Sequence, residues 1–305
     1  MPLSSSHRAG QNLHTSTARF SDHEKLFQVG KWLIYGLLFI NFGLYLSKDI
    51  VAAQHTINAQ TTAMGWLTSF AASMDQFAWV ALIFIYEFET YWMDDDFDNK
   101  IIEGIMTVFK LLFAAMILNT IVAYTSLVIE LKDMTAIGSA SSLCSMADQG
   151  LSFIRNLSYT SVTSDTCGAI AHAGEIFKYP KDPVLTDTAG LREDSWYRIL
   201  DVVEAAAWFA ILGLTELSVR LLDRGIYAGR LTMFEKYGKY ICYLILIGVS
   251  CFWLAKTQYM YVWDEFLWIA SFFLLEMNMS AWRSELAEKA AAQGEADGAL
   301  DLSPA

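Results

Sequence analysis

Six stretches of the chain carry apolar residues densely enough to cross a membrane. A helix needs about 20 mainly apolar residues to traverse the hydrocarbon core, and the stretches fall near 31–51, 64–92, 105–129, 199–222, 240–255 and 263–282. The second is densest over 77–86. The fourth is interrupted by charges, and only 205–215 is free of them, so an interfacial or lipid-shielded helix is the alternative there. Trp32, Trp66, Trp92, Trp253, Trp263 and Trp282 stand near the ends of these stretches, where amphipathic rings settle at headgroup level. Ser21-Asp22-His23-Glu24 reads as a capping box that opens a helix leading into the first span.

Lys and Arg in the short connections set the orientation. Arg8, Arg19, Lys25 and Lys31 precede the first span, Arg220, Arg224, Arg230, Lys236 and Lys239 follow the fourth, and Arg283 and Lys289 follow the sixth. The first and fifth connections hold Lys48 and Lys256 alone. The expected fold is therefore an all-α, polytopic transmembrane bundle of about six spans with both termini inside. Its parts are a cytoplasmic segment over 1–30, spans over 31–131, an extracytoplasmic loop over 132–197, spans over 198–282 and a cytoplasmic tail over 283–305. A plasma membrane or bacterial inner membrane is the expected location. The first thirty residues lack the basic start, short apolar run and cleavage site of a signal peptide, so the first span is expected to direct insertion.

Composition points the same way. Of 305 residues, 54% are hydrophobic and 18% charged, against roughly 45–50% and about 25% in soluble domains. The net charge of −12 argues against nucleic acid, which is held by Lys and Arg on phosphates, and against a polybasic hold on anionic lipid. The lipid bilayer is the one partner this composition implies; a second copy or a partner subunit stays open.

The 132–197 segment is rich in Ser, Thr, Gly and Ala and contains Cys144 and Cys167. An outside location is oxidising, so these two are expected to form a disulfide. A metal site recruiting His172 and Glu175 beside Cys167 has no recognised ligand spacing. Asn156-Leu157-Ser158 matches a glycosylation acceptor, which matters only in a eukaryotic secretory pathway. Cys242 and Cys251 sit in the fifth span as small apolar residues.

Ionisable side chains at membrane depth are costly and point to function by default. Asp75 lies near the middle of the second span; on a straight helix Thr68, Asp75, Tyr86 and Glu89 share a face. Glu265, Glu276 and Arg283 share a face of the sixth span. Asp201 and Glu204 stand near the outer end of the fourth, Glu216 and Arg220 near its inner end, and Lys110 about two turns into the third. Carboxylates in this order resemble those of cation pathways and proton relays. The expected function is an ion channel or a cation/proton-coupled transporter, with a small cation or proton as its ligand. Asp75 and Glu276 are the leading pathway residues, and Glu216, Glu89 and Lys110 stand in the second rank.

Plainer roles compete at each position. Lys110, Arg220 and Lys256 are close enough to span ends to snorkel, Glu216 and Arg220 are spaced as a simple pair, and Asp201, Glu204, Asp264 and Glu265 suit an outer headgroup layer. Trp79, Trp208 and Trp268 read as packing. The two competing functions are a non-catalytic accessory or assembly subunit, whose charges pair between helices, and an intramembrane lipid-acting enzyme. The latter lacks a nucleophile or metal set, so no catalytic residue is assigned and the protein leans away from enzymes. Asp94, Asp96 and Asp98 begin like a calcium loop, but Asn99 and Ile105 replace the required Gly and Glu. The spans hold no His for haem, and no P-loop, HExxH or GxSxG occurs; no cofactor and no metal are expected.

Overall fold

The computed structural model describes residues 22–91, 100–170, 174–226, 228–274 and 276–277. Side chains at 22–27, 86, 87, 89–91, 100, 103 and 223 lie outside that description, as do the capping box at Ser21, the Asp94–Asp98 turn and His172. The chain is mostly helical. α1 covers Asp22–Thr56, α2 Ala63–Ser69, α3 Ala71–Tyr91, α4 Lys100–Glu130, α5 Cys167–Ile170, α6 Thr188–Asp223 and α7 Arg230–Ala255. A last helix, α8, runs over 259–274 and is helical again at 276–277.

Four of these helices are long and apolar enough to cross a membrane: Gln28–Thr56, Gly104–Asp133, Thr188–Leu222 and Arg230–Ala255. The second expected span is broken. α2 and α3 pass the same test only as a pair, bent by 67°, with Phe70 at the break. No Pro or Gly stands there. The bend is held from outside: Asp49 of α1 accepts the Ser73 backbone N–H at 2.9 Å and the Ser73 hydroxyl as well. A bent helix frees N–H groups in the first turn beyond the break, and a carboxylate is the strongest acceptor for them.

Among the described residues the bundle buries a large apolar core and a smaller one around Tyr197, Val249 and Trp253. Leu38 of α1, Trp79 and Leu82 of α3, Ile117 of α4, Trp208 and Ile211 of α6, Leu246 of α7 and Trp268 of α8 meet in the large one. The burial of Trp208 and Ile211 packs α6 against the other helices. Large apolar side chains also face outward along α1, α4 and α7, among them Phe39, Leu44, Val108, Leu111, Val122, Leu244 and Ile247. Soluble monomers rarely leave so broad an apolar exterior uncovered.

The all-α expectation needs one correction. The 132–197 segment holds a five-stranded sheet: β1 (Thr135–Ser139), β2 (Ser152–Arg155), β3 (Ser158–Ser161), β4 (Glu175–Lys178) and β5 (Val184–Asp187), in the order β1-β4-β5-β2-β3. β2 and β5 are parallel and the other neighbours antiparallel. Leu143, Phe153, Val162, Ile176 and Leu185 form its core. The expected Cys144–Cys167 disulfide is present, and it closes a loop worth about 3 kcal/mol in chain entropy. Cys167 is thereby unavailable as a metal thiolate.

The sheet is fastened to the bundle by polar contacts. Asp187 caps α6, accepting from Gly190 N at 2.7 Å and from Arg155 at 2.8 Å. The β2–β3 turn places Asn156 and Leu157 at φ of 48° and 62°, as a two-residue hairpin of that twist requires. The Asn156 side chain accepts from Tyr197 OH and Gln258 Nε2, so the glycosylation-type Asn is engaged by the helices. At the end of α1, His55 stacks on Tyr159 at 5.1 Å and its Nδ1 lies 2.8 Å from Ser152 Oγ.

Asp182, in the β4–β5 turn, has its carboxyl pushed up to about 6 by burial first and by Glu130 second, against the lowering pull of Arg198 and Lys181. A carboxyl that binds its proton more tightly when folded adds stability below its unfolded value, and this is lost as pH rises through the folded one. Asp182→Asn is therefore expected to raise the melting temperature at pH 7 relative to wild type. The difference should close as pH falls from about 6 towards 4, read by thermal unfolding across that range.

Candidate functional site

Three helices carry the same short pattern, a carboxylate followed four residues later by a tryptophan. It occurs as Asp75 to Trp79 in α3, Glu204 to Trp208 in α6 and Asp264 to Trp268 in α8. Residues four apart stack on one face of a helix, so each helix presents an acid with an indole one turn further along. The bundle turns all three faces inward. The indoles meet as a triangle, with ring centroids 6.2 Å (Trp79–Trp208), 5.9 Å (Trp79–Trp268) and 6.5 Å (Trp208–Trp268) apart. Phe272 closes the far side at 5.7 Å from Trp79 and 5.3 Å from Trp208.

On the carboxylate side of this aromatic floor lies a cavity of about 180 Å³. Asp49, Asp75, Asp201, Glu204 and Asp264 line it, with Tyr45, Tyr124, Tyr261 and Trp208 as aromatic wall. Thr68 and Ser69, at the end of α2, reach it because the span bends at Phe70. No Lys, Arg or His is among the lining residues. The Lys48 ammonium rests 4.1 Å from the centre of the Tyr261 ring, which is part of the cavity wall.

Hydrogen bonds fix the acids in place. Asp264, 5% exposed, accepts from Asn41 Nδ2 at 2.5 Å, Tyr45 OH at 2.9 Å and Gln76 Nε2 at 3.0 Å. Gln76 Oε1 in turn accepts from Trp268 Nε1 at 3.1 Å. Glu204 accepts from Trp253 Nε1 and Glu265 from Trp208 Nε1, each at 3.3 Å. Donors this numerous hold anions in orientation, yet every one of them is neutral. Five carboxylates around so small a space call for positive charge, supplied by protons or cations.

No protein-family description, characterised protein or solved structure matches this chain. The geometry alone must carry the functional reading.

The sequence-derived candidates divide. Asp75 lines the cavity, together with the outer acids Asp201, Glu204 and Asp264 that suited a headgroup layer. Glu276 does not join them. Its Oε1 lies 2.5 Å from Lys239 Nζ, and Lys239 also pairs with Glu235 one turn earlier on α7. Glu216 pairs with Arg220 at 2.8 Å on an exposed face of α6. Lys110 sits half-buried on α4 away from the cavity lining, and the Glu89 side chain lies outside the described residues. Asp49, Tyr45 and Gln76 were missed. For Asp49 and Tyr45 the signal was the polar spacing Asn41, Tyr45, Asp49 along an otherwise apolar α1, which marks an inward face at four-residue intervals.

Proposed function

We propose that this chain is a multi-pass membrane transporter for a small cation, coupled to protons, of the plasma membrane or a bacterial inner membrane. Six spans with both ends inside remain the topology we favour, α2–α3 forming one broken span and α8 the last. The observation that supports transport is the cavity: five carboxylates and an aromatic wall inside an apolar bundle, without a basic residue in the lining. The Trp79–Trp208–Trp268 floor favours a carrier over an open channel, because three packed indoles and Phe272 obstruct a continuous water path beyond the acids. Alternating access to the cavity would require that floor to move.

The deciding experiment is cation and proton flux into proteoliposomes under Na⁺, K⁺ and pH gradients. Asp75→Asn is expected to lower flux on the order of tenfold or more, the factor given by about 1.4 kcal/mol of lost interaction. Glu276→Gln, remote from the cavity, is expected to act less. Absence of flux from folded wild-type protein under all three gradients would remove the transport reading and bring forward the accessory-subunit one.

A further inference from the structure

One buried acid has no role in the hydrogen-bond network that orients the others. Glu265 of α8 is 1% exposed. Its Oε1 accepts from Trp208 Nε1, but its Oε2 is buried without any donor. Trp208, the donor to Glu265, stands one turn beyond Glu204 on the same face of α6, so Glu265 packs beside Glu204, which lines the cavity. Two carboxylates cannot bond to each other, since both are acceptors only; one proton between them supplies the missing donor.

We propose that Glu204 and Glu265 form an acid–carboxylate pair that holds a single proton at the cavity wall. The pair then carries one negative charge instead of two, and the Glu265 Oε2 orphan disappears. Among the described residues, no ammonium or guanidinium bonds to either carboxyl. Asp201 on α6, Asp264 and Tyr261 on α8, Tyr45 on α1 and Tyr124 on α4 line the cavity beside Glu204, and the Trp253 indole of α7 donates to its carboxyl. Lys48 is directed to Asp49, Asp201 and the Tyr261 ring.

A cation entering the cavity beside Glu204 adds the charge that the proton otherwise supplies. The O–H bond breaks, the proton leaves to water in the cavity, and both carboxylates remain to face the cation. This coupling role rests on the transport reading. The shared proton does not, so the two can fail separately.

The test is infrared spectroscopy of the full chain in lipid nanodiscs at neutral pH, with Glu204→Gln, Glu265→Gln and the double variant. Each single variant is expected to lose one neutral carboxylic-acid carbonyl band, because Gln donates its own N–H to the remaining carboxylate. The double variant should lose no more than either single one. Loss of carboxylate bands alone in the single variants would overturn the pair, as would a double variant that loses two acid bands. Circular dichroism and elution profile confirm that each variant is folded. The expected band pattern in a protein without flux would uphold the pair while removing the transport reading.

Discussion

Asp264→Ala is expected to destabilise the bundle by about 3–5 kcal/mol, because it takes the shared acceptor away from several buried donors. Asn41, Tyr45 and Gln76 all donate to this carboxylate, so its loss leaves three buried donors on α1 and α3 without their acceptor. An unsatisfied buried group costs about 1–3 kcal/mol, and partial rearrangement keeps the total below the plain sum. Asp264→Asn retains one carbonyl acceptor in the same volume and is expected to cost less than Asp264→Ala. Reversible unfolding in detergent micelles measures both. Equal stability of the alanine variant and wild type would mean that the network does not hold the helices together.

Lys239→Met is the second large effect, again about 3–5 kcal/mol. Lys239 is 3% exposed and Glu235 2%, and the ammonium is shared between Glu235 and Glu276. Methionine preserves the stem that packs but leaves both acids without that cation. The partner change Glu276→Gln should restore part of the loss, so a double-mutant cycle gives a coupling energy well above the additivity error of about 0.5 kcal/mol. Additive effects would mean that the α7–α8 ion pair is incidental.

Four of the six expected spans were legible because apolar length is a strong and local signal. The sheet was not. Its strands are four or five residues long, β1 is exposed throughout and β5 buried throughout, so neither shows the alternation by which strands are read. The cavity was half legible. Asp75 stands out as an acid at depth, whereas Asp201, Glu204 and Asp264 lie close enough to span ends to suit headgroups. Only the packing of α1, α3, α6 and α8 turns them inward. The Asp/Glu-x-x-x-Trp spacing was visible in three helices, and taking each tryptophan separately as packing concealed that they converge. The straight-helix placement of Thr68 beside Asp75 did not anticipate the bend at Phe70, which follows from a carboxylate on another helix.

The Asn41–Asp264 hydrogen bond joins residues 223 positions apart. At a synthesis rate of about 5–20 residues per second, roughly 10–45 s separate the emergence of one from the other. Throughout that interval Asn41, Tyr45 and Gln76 have no Asp264 to bond. Until α8 emerges, Asn41 and Gln76 have only each other, and Tyr45 lacks the carboxylate it donates to. The acceptor that ties α1 to α3 is thus delivered last, and a chain cut short before α8 never receives it.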